Sequence, residues 1–152
     1  GVHDPTAPWA SLPSPRPRLV LCGDAGWKTR IPEMDGLEVT GYVTRERLRD
    51  LYRGALAFVY PSRYEGFGIP PLQAMACGAP VVATRTGALG ECANDAALLI
   101  EPGDVDALRA ALVQVLGDAA LRRELRARGP EQARLWTWDR GARVMSELLR
   151  CV

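Results

Sequence analysis

The chain has 152 residues, 47% of them hydrophobic and 24% charged, which suits one folded domain of ordinary size and leaves no length for two. Nineteen basic residues oppose eighteen acidic ones for a net charge of +1. That balance argues against the broad positive face a nucleic-acid backbone requires and favours a small-molecule or protein partner. The longest apolar run, Ala55 to Tyr60, has six residues against the roughly 20 that span a bilayer, and no leader pattern opens the chain.

Residues 1–17 contain Pro5, Pro8, Pro13, Pro15 and Pro17. Prolines remove backbone donors, so this stretch predicts a linker or tail without helix or central strand, ahead of a domain over residues 18–152. Leu19-Val20-Leu21-Cys22 then reads as a buried strand stopped by Gly23-Asp24-Ala25-Gly26, and Leu37 to Gly41 as a second. Thr44 is placed to cap a helix bearing Leu48, Leu51, Tyr52, Ala55 and Leu56 on one face. Ala57 to Tyr60 predicts a third strand, Pro61 to Gly68 a loop, Pro70 to Cys77 a short helix and Pro80 to Ala83 a fourth strand. Ala88 to Ala93 suits a turn or two of helix and Ala97 to Ile100 a fifth strand. Asp104 caps a helix with Leu108, Ala111, Leu112, Val115 and Leu116 in a stripe. Leu121 and Leu125 mark another helix, and Val144, Met145, Leu148 and Leu149 a last one after Trp136-Thr137-Trp138. Apolar strands alternating with amphipathic helices predict an α/β fold, a Rossmann-like parallel sheet with helices on both faces.

Ligands of such sheets bind beyond the carboxyl ends of the strands. The third strand's loop is the one rich in signals there. Gly66 and Gly68 let the backbone approach a ligand and expose N–H groups, and the helix start behind them adds orphan donors and a positive dipole end. Pro70 and Pro71 suit a first helical turn but contribute no N–H, so the donors expected for an anion lie at Gly66 to Ile69 and at Leu72 and Gln73. The four cysteines, Cys22, Cys77, Cys92 and Cys151, include no C-x-x-C pair and read as buried thiols of a cytoplasmic protein.

The block Pro-Ser-Arg-Tyr-Glu-Gly-Phe-Gly-Ile-Pro-Pro-Leu-Gln-Ala-Met-Ala-Cys-Gly-Ala-Pro-Val-Val, from Pro61 to Val82, resembles that of the retaining, GT-B-fold glycosyltransferases of family four, the glycosyl transferases group 1. The resemblance runs from Arg18 to about Arg150 and covers the donor-binding, C-terminal half of that fold. It implies transfer of a sugar from a nucleoside-diphosphate sugar to an acceptor hydroxyl with retained anomeric configuration. By the same resemblance Glu65 contacts the transferred sugar as the catalytic residue, and the backbone of Gly66, Phe67, Gly68, Ile69 and Leu72 holds donor phosphate and sugar. Gln73 takes the ribose position, and Gly41-Tyr42-Val43 look like the turn that meets the nucleobase. A full-length protein of this kind is expected in the cytoplasm, with a peripheral position at the membrane compatible with its chemistry.

Three departures stand beside the match. Gln73 replaces a glutamate, and an amide accepts at one atom where a carboxylate accepts at two. The strand and helix that normally open the family's C-terminal domain with an Arg and a Lys on the diphosphate are replaced by the Pro-rich stretch, and Lys28 and Arg30 do not match their spacing. The N-terminal acceptor domain is not among these residues, so the chain alone is expected to bind donor weakly and to be inactive. Besides the donor sugar nucleotide, neither cofactor nor metal is expected: Asp104-Val105-Asp106 looks like a D-x-D metal motif, yet it stands where an Asp caps a helix. Glu65 also suits pairing with Arg63, Gln73 an ordinary exposed helix position, and Tyr42 and Phe67 simple packing. Glu91 reads equally as helix cap or donor contact, and Arg63 and Tyr64 are candidates for donor selectivity. His3, in the Pro-rich segment, reads as a mobile exposed side chain. Trp136 and Trp138 flank the last helix, and their surface predicts an interface with the acceptor domain or, without it, self-association. The competing reading is a non-catalytic pseudoenzyme or protein-interaction module with the same fold. A nicotinamide dehydrogenase is disfavoured because Gly23-Asp24-Ala25-Gly26-Trp27-Lys28 fails the G-x-G-x-x-G pattern.

Overall fold

A computed structural model describes residues 6–23, 31 and 33–150. Chain order is α1 (Thr6–Ala10), β1 (Leu19–Leu21), β2 (Leu37–Val39), α2 (Arg45–Gly54), β3 (Phe58–Tyr60), α3 (Ile69–Ala76), β4 (Val81–Thr84) and α4 (Leu89–Ala93). A 3₁₀ turn at Asn94–Ala96 leads to β5 (Ala97–Ile100), α5 (Val105–Gly117), α6 (Ala119–Ala133) and α7 (Trp138–Arg150). The ladders between these strands are parallel, and an isolated antiparallel bridge joins Gly23 to Gly41. Strands β1 and β2 pair with Leu19 opposite Leu37, and β3, β4 and β5 pair in that order with Tyr60 opposite Ala83 and Val81 opposite Ala97. The expected single sheet is thus two sheets, because no ladder joins β1 to β3 among the described residues.

Strand periodicity explains the layers. Successive side chains point to opposite faces, so Val81 and Ala83 of β4 join one apolar cluster with Tyr52, Leu72, Met75, Leu89 and Cys92. Val82, between them, joins the other with Trp9, Leu108, Leu112, Val115 and Leu125. A continuous apolar run is needed for a strand covered on both sides, and all four residues of β4 are buried. Thr44 caps α2 by accepting from the Arg47 N–H at 3.2 Å, and Asp104 caps α5 by accepting from the Ala107 N–H at 2.7 Å, as their positions predict.

Several expectations are corrected. The Pro-rich stretch was expected to hold no helix, yet Thr6–Ala10 is helical with Thr6, Pro8 and Trp9 buried. Pro8 lies in the first turn, where an N–H has no intrahelical partner to lose. Trp9 joins the second cluster, and its Nε1–H donates to the Pro17 carbonyl at 2.8 Å. A methyl group built on Gly36, just before β2, would lie 3.4 Å from the Trp9 ring. The α2 helix stops at Gly54, so Ala55 and Leu56 fall in the turn before β3 and Leu56 is exposed. Of the cysteines expected to be buried, Cys92 is, Cys77 is half-buried and Cys22, just past the end of β1, is exposed; Cys151, His3, Lys28 and Arg30 lie outside the described residues. The last helix, α7, buries none of its residues, and Val144, Met145, Leu148 and Leu149 stand exposed. No described helix is long and apolar enough to cross a membrane.

Candidate functional site

The loop after β3 is built from its neighbours. Pro61 and Ser62 are buried; the Thr84 hydroxyl, at the end of β4, donates to the Ser62 carbonyl, and the Ser62 hydroxyl donates to the Tyr64 carbonyl at 3.1 Å. Further along, the Gly66 carbonyl accepts from the Ala88 N–H at 3.1 Å. The turn from β4 to α4 therefore lies directly against the loop. Gly87 makes that approach possible: its φ is +53°, and a Cβ there would sit 2.1 Å from the Glu65 carbonyl oxygen and 2.6 Å from that of Gly66. Gly68, with φ +83°, turns the chain into α3, and a Cβ on it would meet Leu89 at 3.1 Å. Both glycines hold the left-handed backbone that other residues adopt only at a cost.

Glu65 is half-buried at the centre of this turn. Its Oε1 accepts a hydrogen bond from the Tyr60 hydroxyl at 2.8 Å. Burial and then the hydrogen bond to Glu65 push Tyr60 up to about 12, so the phenol keeps its proton and acts as a donor throughout the neutral range. Phe67 packs edge-to-face on Trp136, ring centroids 6.0 Å apart. Trp136, expected as uncovered interface, is half-buried against the core, whereas Trp138 is exposed.

Behind the turn, α3 begins at Ile69 with Pro70 and Pro71 in its first turn. Of the four N–H positions that a helix start leaves without partners, only those at Gly68 and Ile69 carry a hydrogen here. Leu72 was expected to contribute a donor. Because the helix starts one residue earlier than the sequence suggests, Leu72 falls at the fourth helical position, where intrahelical bonding begins, and its side chain is buried in the core. Gln73 stands exposed on the same helix, and Arg63 and Tyr64 are exposed on the loop.

Glu65, Gly66, Gly68 and Ile69 are thus brought together with Gly87 and Ala88. Tyr42 and Val43 are not part of that group: they follow β2 on the two-stranded sheet, where the Gly23 N–H donates to the Gly41 carbonyl at 2.9 Å, Tyr42 is exposed and Val43 half-buried. Glu91 lies exposed in the first turn of α4, whose capping position is Ala88. Among the described residues no three or more His, Cys, Asp or Glu side chains gather where a metal could bind. Sequence reasoning missed Tyr60, Thr84 and Gly87. A phenol at the last position of the strand that feeds the loop was the available signal for Tyr60.

A family model described as "Glycosyl transferases group 1" matches residues 9–132. The O-antigen chain mannosyltransferase B of Escherichia coli is 41% identical over 129 residues, which is 80% of this chain and 34% of that protein. Sucrose-phosphate synthase from Thermosynechococcus elongatus superposes with a TM-score of 0.76 at 31% identity, covering 90% of this chain and 39% of that one. The C-terminal domain of a glycosyl transferase group 1 family protein from Francisella tularensis superposes with a TM-score of 0.59 at 28% identity, over 66% of this chain and 53% of the other. The chain therefore spans about a third of the first of these relatives.

Proposed function

The chain belongs to the group 1 glycosyl transferases, and on that premise we propose that it is a donor-binding domain that holds a nucleoside-diphosphate sugar at the loop between β3 and α3. The observation that carries the reading is Glu65 held on the turn between Tyr60 and Gly68, at the carboxyl edge of a parallel sheet and ahead of a helix start. In this reading the other oxygen of the Glu65 carboxylate accepts from a hydroxyl of the donor sugar. The N–H groups of Gly68 and Ile69, backed by the α3 dipole, face the diphosphate. Gln73 meets the ribose, and Tyr42 and Val43 meet the base.

Transfer to an acceptor hydroxyl with retained configuration leaves negative charge on the departing nucleoside diphosphate. Pre-aimed N–H donors suit that task, each worth about 3 kcal/mol in comparable oxyanion sites when water is excluded. Gly66 and Phe67 are exposed, so in this chain by itself the same donors act in a high dielectric. The chain alone then binds donor weakly and does not turn it over, and the acceptor site belongs to an N-terminal domain. Several relatives are mannosyltransferases, which makes a mannosyl nucleotide the first probe.

Calorimetric titration with GDP-mannose, UDP-glucose and ADP-glucose, repeated with Glu65→Ala, tests this. Millimolar or tighter binding of one nucleotide sugar, weakened by the substitution, is expected. Binding unchanged by Glu65→Ala, or no binding of any probe, overturns the donor site and favours an interaction module of the same fold.

A further inference from the structure

We propose that Tyr60 is a positioning residue for the donor site, its hydroxyl fixing one oxygen of the Glu65 carboxylate so that the other is presented to the sugar. The inference rests on the donor-site reading above and deepens it. Three observations carry it. The Tyr60 hydroxyl lies 2.8 Å from Glu65 Oε1, an ordinary distance for an O–H···O hydrogen bond. The ring that carries the hydroxyl is itself fixed: Tyr60 and Phe58, two apart on one face of β3, stack with centroids 6.0 Å apart and planes at 23°, and Phe58 meets the buried Tyr52 edge-on at 5.1 Å. Glu65, by contrast, sits on a loop and is only half-buried, so packing alone leaves its carboxylate several rotamers.

The chemistry of the pair assigns the roles. A phenol is one donor and keeps its proton beside a carboxylate, so Tyr60 gives and Glu65 Oε1 takes. Glu65 Oε2 keeps its lone pairs for a ligand hydroxyl. Tyr60 needs no contact with the ligand, because its effect passes through Glu65. A side chain ordered beforehand saves the ligand the entropy of ordering it on binding.

The test uses the full 152-residue chain with Tyr60→Phe, Glu65→Ala and the double variant. Each is titrated with the nucleotide sugar that binds wild type and with the matching nucleoside diphosphate. Tyr60→Phe should weaken the nucleotide sugar roughly three- to tenfold, the loss expected for one side chain left unordered, and leave the nucleoside diphosphate within twofold. The double variant should bind as Glu65→Ala does, since the hydroxyl has nothing left to position. The Glu65 carboxyl carbon resonance should move in Tyr60→Phe, a signature that loss of packing would not produce because the ring remains. Equal weakening of both ligands, additive losses in the double variant, or an unmoved carboxyl resonance overturns the role of Tyr60 while leaving the donor site intact. Nucleotide-sugar binding indifferent to Glu65→Ala, or no binding to wild type, overturns the donor site and the role of Tyr60 with it.

Discussion

Gly87→Ala places a methyl group where the Glu65 and Gly66 carbonyl oxygens already are, 2.1 and 2.6 Å from the new carbon. Two costs add. A residue with a Cβ at φ +53° loses about 1 kcal/mol relative to glycine, and forcing two backbone segments apart costs about 1–3 kcal/mol. The sum, about 3 kcal/mol, corresponds to a melting temperature lower by about 6–12 °C for a chain of this size. Thermal unfolding followed by circular dichroism measures it, with Gly66→Ala as the companion: nothing lies within 4 Å of a Cβ there, so stability should hold within about 0.5 kcal/mol. Donor titration separates the pair further: if the donor is held at this loop, Gly66→Ala adds a methyl in open space beside Glu65 and should weaken binding at unchanged stability. A Gly87→Ala chain that melts within 2 °C of wild type would refute the account of the loop as clasped by the β4–α4 turn.

Two further predictions concern ionisable and polar groups. If Gln73 meets the ribose, Gln73→Ala weakens nucleotide binding and Gln73→Glu retains or improves it, by calorimetry; equal affinities in all three chains would remove Gln73 from the site. Tyr52 and Tyr60 are each pushed up to about 12, in both cases first by burial, with the Glu65 hydrogen bond the second cause at Tyr60. The unfolded chain ionises these phenols near 10. Their contribution is therefore complete below pH 10 and is lost as pH rises toward 12, so denaturant midpoints should fall across that window and the tyrosinate absorbance should rise late. Midpoints flat from pH 9 to 12 would contradict the assignment.

The order of strands and helices was legible because each element carries its own pattern: the run before Pro61, the stripe after Asp104, the caps at Thr44 and Asp104. The turn was legible for a related reason, since a carboxylate and two glycines before a proline-started helix are local features. What escaped depends on contacts between distant residues. Five prolines in residues 1–17 argue against helix, and the packing of Trp9 in the second cluster with its bond to the Pro17 carbonyl is a contact no local pattern shows. Leu72 reads as a backbone donor on its position in the motif, but a helix that starts at Ile69 puts it at the fourth helical position, where intrahelical bonding begins. Gly87 lies more than twenty positions from Glu65, and no periodicity points from one to the other. Tyr60 reads as the last apolar residue of a strand, which it is; its hydroxyl becomes meaningful only when the loop folds Glu65 back over it.

Among the described residues no strand ladder joins the two sheets, so side-chain packing links them. Trp9 is one side chain that meets both: it lies against Gly36 at the foot of β2 and clusters with Leu108 and Leu112 on the helix covering β3, β4 and β5. The turn at Tyr42 follows one sheet and Glu65 the other, and the indole that packs between the sheets belongs to neither. A residue in a stretch that reads as a tail is thus a packing element shared by both sheets, and trimming it would leave a gap between them.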